Sequence, residues 1–189
     1  WISDLWPHLA KHADELCFIK SMHTRGTSHG QAVGMVHTGN DNLLRPSVGA
    51  WVSYGLGTEN RNLPAFVSVT PPAGHGGARN YGSSFLPAHH QATTLGHSGS
   101  KTADATIEYL QNTDSQSADQ QRQLEMLNRI NKKHFSRTRD SQVDGVIRSY
   151  EMAARMQGIA PDLIDISNES KSTRALYGMD RKETTDFGH

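Results

Sequence analysis

The sequence predicts an α/β fold in which a partial parallel sheet is flanked by helices. Three observations carry that expectation. Leu16-Cys-Phe-Ile19 is a short apolar run without alternation, the pattern of a strand buried on both faces. Ala65-Phe-Val-Ser-Val-Thr70 is a second such run, opening after Pro64 and halted by Pro71-Pro72. Helical segments precede, separate and follow these runs, and that alternation is how a chain covers both faces of a parallel sheet.

Taken in order, Ser3 or Asp4 can cap a first helix over residues 3–13, with Pro7 in its first turn and Leu5, Leu9 and Ala13 on one face. The run at 16–19 follows as a strand with Cys17 inside it, and residues 15–22 and 65–70 are expected as parallel neighbours or near-neighbours. Past the turn Thr24–Ser28, the residues Ala32, Val33, Met35 and Val36 mark a helix that stops at Gly39. Arg45-Pro-Ser47 reads as a turn whose serine caps a helix over 48–54, closed by Gly55 and Gly57. From 71 to 106 Gly, Pro, Ser, His and Thr dominate, and a stretch of that length is expected as a lid or as an ordered excursion over a site. Asp114 and Asp119 then flank a helix start as capping groups, and Leu124, Leu127 and Ile130 share one face of a helix over 117–135. Val143, Val146, Ile147, Tyr150 and Ala154 give a second amphipathic helix, ended by Gly158 and Pro161. A short helix over 170–177 is capped by Gly178.

Composition narrows the class. At 189 residues the chain has the size of one domain. Its 19 basic and 19 acidic residues cancel, which argues against a nucleic-acid backbone as partner, since such binders show a clustered cationic excess. Hydrophobic residues at 35% with zero net charge still allow a buried core. The single cysteine excludes an intrachain disulfide and a cysteine-rich zinc module. No apolar run reaches the ~18 residues of a membrane span.

Eleven histidines stand in the chain without a zinc signature such as His-Glu-x-x-His. His8, His12, His89, His90, His97 and His134 read most simply as surface polar groups. His23, Thr24, Arg25, Ser28 and His29 instead cluster between the first expected strand and the next helix. Groups just past strand C-termini form the ligand crevice of parallel sheets, and a helix N-terminus offers unpaired N–H groups to an anion. A hydroxyl or imidazole placed there can attack or hold a phosphate- or sulfate-like group, with Arg25 as a clamp and Arg45 as a second anion contact. The plainer alternative is Ser28 capping the helix beside a solvated arginine. His75-Gly-Gly77 offers the same choice between anion-facing N–H groups and a simple turn.

Longer stretches carry a resemblance. Leu9-Ala-Lys-His-Ala-Asp-Glu-Leu-Cys-Phe-Ile-Lys-Ser-Met-His-Thr24, His37-Thr-Gly39 and Arg45-Pro-Ser-Val-Gly-Ala-Trp-Val-Ser-Tyr-Gly-Leu-Gly-Thr-Glu-Asn60 are similar to the secreted bacterial family called domain of unknown function 1501. Asn62-Leu-Pro-Ala-Phe66, Ser84-Phe-Leu-Pro87, Ser149-Tyr-Glu-Met-Ala-Ala-Arg-Met-Gln157 and Leu176-Tyr-Gly178 extend the likeness over essentially the whole chain.

That resemblance implies kinship with the alkaline phosphatase and sulfatase superfamily. It also implies that residues 1–189 are a single, incomplete domain of that fold, with further ligand-bearing segments before and after them. The superfamily places its nucleophile at the head of a helix ending in Thr-Gly, ten residues before the glycine, and counting back from Gly39 lands on His29. Where sulfatases carry Cys or Ser followed by x-Pro-Ser-Arg, this chain reads His29-Gly-Gln-Ala-Val33. The likeness therefore implies a catalytic or metal-binding His29, a catalytic Ser28 beside it, and substrate contacts from His23, Thr24, Arg25 and Arg45. It implies a divalent metal ion, with zinc and calcium as candidates, whose remaining ligands lie outside this chain. The expected activity is hydrolysis of a phosphate or sulfate ester in the periplasm or outside the cell. The alternatives are a catalytically silent protein of the same fold that binds an anion or glycan, and a structural exported protein.

Overall fold

The computed structural model describes residues 2–108, 110 and 117–188, without the side chains of 117, 118 and 187. Within them the fold is helical around a small parallel sheet. Its strands are β1 (Val67–Val69) and β2 (Thr93–Leu95), and its helices are α1 (Pro7–Ala10), α2 (His29–Thr38), α3 (Val48–Leu56), α4 (Ser117–Thr138), α5 (Ser141–Ile164), α6 (Lys171–Tyr177) and α7 (Thr185–Gly188).

At α2 and α3 the capping serines fall where the sequence puts them, whereas α1 starts after Trp6 without a side-chain cap, Ser3 accepting instead from the Leu5 N–H at 3.3 Å in the preceding turn. Ser28 accepts from the Gln31 N–H, Ser47 from Ala50 and Ser170 from Thr173, each satisfying one first-turn donor. Gly39 and Gly178 close their helices at φ of 70° and 68°, a left-handed turn that glycine adopts without a Cβ clash. The expected capping group Asp114 lies outside the described residues, and Asp119 instead pairs with Arg122 at 3.3 Å in the first turn of α4.

The sheet differs from expectation. β1 lies where the second apolar run predicts a strand, but its parallel partner is β2, with Val67 opposite Thr93 and Val69 opposite Leu95. The run at 16–19 is not a strand. Phe18 is 52% and Ile19 66% exposed, and Cys17 is exposed as well. A buried run needs a ladder partner and a cover, and among the described residues the only ladder is that of β1 with β2. The first helix is also shorter than expected: Pro7–Ala10, then a 3-10 turn at Ala13–Glu15. Leu5 ahead of it and Leu9 within it are both exposed, so its apolar side stays uncovered, and an isolated helix that short is marginal.

The stretch 71–106 is structured. Residues 70–92 form the crossover between β1 and β2, built from 3-10 turns at Gly77–Asn80 and Ala88–His90 rather than a helix. It is pinned to the chain entering α3, where the Ser47 N–H donates to the Gly82 carbonyl at 3.0 Å and Ser84 Oγ to the Leu44 carbonyl at 3.3 Å. Pro46 and Ser47 are fully buried there, and Leu86 and Ala92 are buried along the same stretch.

The core sits where α3 and the Ala88–His90 turn meet α5. It comprises Ala50, Leu86, Ala92, Ile147, Met156 and Ala160. Helix α5 runs through Gly158 and Pro161 to Ile164. Met156 and Ala160 are buried just ahead of the proline, and their packing carries the helix one turn past the expected stop. Glycine has a different role at 145, where a Cβ would lie 2.8 Å from Pro87 Cβ and 3.0 Å from the Ala88 nitrogen. The backbone of α5 thus sits directly on the start of the 88–90 turn.

Two glycines of one helix should therefore behave oppositely. Gly145→Ala is expected to cost about 1–3 kcal/mol through overpacking against ring and backbone atoms. Gly158→Ala, with nothing within 4 Å of the added Cβ, is expected to be neutral or stabilising by up to about 1 kcal/mol. Thermal unfolding of the two variants checks the pair.

Candidate functional site

The segment Pro87–His90 is held on two sides. Gly145 of α5 receives Pro87 and Ala88, and Ser53 of α3 reaches His90, with Oγ 2.9 Å from Nδ1. The adjacent imidazoles of His89 and His90 then lie against one another at 3.9 Å between ring centres, and Tyr54 stands edge-on to His90 at 5.4 Å. These rings line an open cleft of about 1180 Å³ between α3, α4 and α5.

The electrostatics of the pair follow from its setting. Burial, then the neighbouring His90 and the Arg148 guanidinium, push His89 from 6.5 down to about 4, with the Asp144 carboxylate pulling the other way. His90 is also lowered, first by burial and then by Arg148. Asp144 binds Arg148 at 2.8 Å in the i, i+4 relation. Near neutral pH both rings are therefore uncharged, and a neutral His90 can accept a hydrogen bond from the Ser53 hydroxyl. His89 Nδ1 is buried without a hydrogen-bond partner among the described residues.

The sequence reading misses this cleft, because it takes His89 and His90 as surface polar groups. A signal was present. The doublet sits between Phe85-Leu86-Pro87 and Ala92, an apolar frame that draws an imidazole inward. At the edge of the cleft Arg155 Nε donates to the Arg61 carbonyl at 2.8 Å.

The residues singled out before α2 form a looser group. Ser28 caps α2 through a 3.4 Å hydrogen bond from the Gln31 N–H, and its hydroxyl donates to Gln31 Oε1 at 3.3 Å. His29 opens the helix, is exposed, and packs its ring 5.1 Å from that of His75, in the loop that leaves the C-terminal end of β1. Thr24 Oγ1 accepts from the Gly26 N–H at 3.3 Å. His23, Thr24, Arg25 and Arg45 are exposed. The structure thus brings His75 to His29 and shows no hydrogen bond or ion pair joining His23, Arg25 or Arg45 to them. An arginine absent from the sequence reading anchors α2 instead: the Arg79 guanidinium lies over Gly34 and donates to the carbonyls of Asn40 at 3.0 Å and Leu43 at 3.4 Å.

Over residues 1–189 the sequence matches the family described as "Protein of unknown function (DUF1501)". The chain belongs to that family. No curated protein and no solved structure matches it. Among the described residues, no helix is long and apolar enough to cross a membrane.

The lowered His89 has a consequence for stability. The unfolded chain takes up its proton near pH 6.5 and the folded chain only near 4, so folding is progressively disfavoured as pH falls between those values. Solvent reaches this part-exposed ring and reduces the full linkage value, leaving an expected loss of about 1 kcal/mol. His89→Gln should flatten the fall in Tm between pH 6.5 and 4 relative to the parent chain, as thermal unfolding across that range would show.

Proposed function

We propose that this chain is part of an alkaline-phosphatase-like protein, periplasmic or secreted, that takes a phosphate or sulfate ester at the head of α2. The observation that carries this reading is the His29–His75 pair: two imidazoles at the start of a ten-residue helix, one contributed by the loop leaving a parallel strand. With the Gln31 N–H taken by Ser28, the His29 and Gly30 N–H groups have no intrahelical acceptor and suit an anion. Ser28 and His29 are the groups in reach of a bound ester. His23, Thr24 and Arg25 directly precede the helix, and Arg45 leads into α3; they supply hydroxyl and cationic contacts to the anionic group. The sequence likeness to the alkaline phosphatase and sulfatase superfamily supports the same assignment.

A divalent metal belongs to that superfamily's chemistry. Zinc takes about four ligands and calcium six to eight. His29 and His75 offer two, and among the described residues no group of three His, Cys, Asp or Glu side chains gathers around a common point. The residues present do not fit a complete metal site, so the role proposed for them is anion contact. The same donor set favours a second reading, a protein that binds an anionic ester or glycan without turning it over.

Aryl phosphate and aryl sulfate turnover under a panel of divalent metals separates the two. Hydrolysis that falls about a hundred-fold in His29→Ala is the expected result for an enzyme. Absent turnover, a rise in Tm with phosphate or sulfate that His29→Ala abolishes supports the binding reading. If neither turnover nor stabilisation depends on His29, the head of α2 is not an anion site.

A further inference from the structure

The cleft behind His89 and His90 is separate from the head of α2, and none of the residues assigned to that anion site lines it. Its rim carries Arg61, Lys132, Arg148 and Arg155. Glu108, Asp144 and Glu151 line it too, so among the described residues four cations stand beside three carboxylates. Asp144 is committed to Arg148 at 2.8 Å. Arg155 uses Nε on the Arg61 carbonyl, and among the described residues neither its terminal nitrogens nor the Lys132 ammonium has a partner. Exposed cations in excess of carboxylates among the described lining residues suit an anionic head.

Inward from that rim the lining changes character. The neutral rings of His89, His90 and Tyr54 form an aromatic wall. Pro64, Thr93, Ile107 and Met156 line both this cleft and a second space of about 200 Å³, so the two adjoin across shared side chains. Leu63, Val67, Leu95, Ala160, Leu163 and Ile164 complete that annex, and none of them brings a polar side chain. It exceeds the ~150 Å³ apolar cavity known to take up benzene. Cations at exposed positions, uncharged rings and an apolar annex thus border two adjoining spaces.

We propose that this cleft binds a monoanionic amphiphile, with its charged head at Lys132 and Arg155 and its apolar body lying over His89 and His90 into the annex. Carboxylate, sulfonate and sulfate heads share the chemistry the rim requires. Small-molecule sites are commonly built this way, apolar for the body with a few convergent polar groups to orient the head. The proposal stands independently of the site at α2.

Isothermal titration at low salt with naphthalene-2-sulfonate, neutral 2-naphthol and inorganic sulfate tests it. The sulfonate is expected to bind about ten-fold more tightly than either half alone. Lys132→Gln with Arg155→Gln, both at exposed positions, should remove that advantage and leave 2-naphthol unchanged, while Arg155→Lys keeps it. Leu163→Gln, at a half-exposed wall of the annex, should weaken both naphthyl probes. Binding of the sulfonate no tighter than 2-naphthol, or indifference to the rim and annex substitutions, overturns the proposal. The titrations are repeated in the His29→Ala background, where binding at the head of α2 no longer contributes; a sulfonate that has lost its advantage over 2-naphthol there overturns the cleft as its site.

Discussion

Much of this structure depends on one close approach, the seating of Pro87 and Ala88 on Gly145. A helix can bring its backbone against another segment only where a side chain is missing, and α5 does so at this position. That contact fixes the 88–90 turn, and the turn sets where His90 can meet Ser53 and where His89 must lie. The register of the sheet follows from the same stretch, since β2 begins a few residues later and pairs with β1 through the Thr93 N–H on the Phe66 carbonyl. The imidazole pair and one wall of the cleft thus rest on a small residue of one helix, and the ladder begins from the turn seated on it.

Helix positions were largely legible in the sequence because their signals are local. A serine ahead of an apolar period and a glycine behind it place α2, α3 and α6. Strand identity was only half legible: the run at 65–70 does hold β1, but a parallel strand is defined by a partner far along the chain. Leu16-Cys-Phe-Ile19 has the composition of a buried strand and lies exposed, whereas Thr93–Leu95 is polar, only partly buried and a strand. Three ladder pairs suffice once the crossover is held by Ser47 and Ser84, and no local pattern encodes that. Gly158 and Pro161 mislead for the converse reason: their local cost is outweighed by the burial of Met156 and Ala160.

The candidate sites divide along the same line. The group at α2 is recognisable from spacing, and its geometry remains that of a capped, exposed helix end joined by His75. The cleft is assembled from α3, the crossover and both long helices, so its members look unrelated in sequence. The His89-His90 doublet is its one compact trace, and only the three-dimensional setting reveals the two rings as neutral.

Neutrality is what lets the cleft be at once aromatic and cationic. Two protonated imidazoles at 3.9 Å would repel one another and the Arg148 guanidinium, and each would have to be desolvated against Tyr54 and the core. Held uncharged, the same rings present flat, polarisable faces, and the Ser53 hydroxyl gives His90 Nδ1 a partner without introducing charge. The positive charge then resides on the long side chains of α4 and α5, which keep their heads in water while their stems cover apolar surface. A fold that placed the cations inside and the rings outside would lose both effects, because buried cations need carboxylate partners that cancel the charge available to a ligand. The neutrality of the ring pair in this cleft therefore follows from the partial burial of the 88–90 turn, which rests on Gly145.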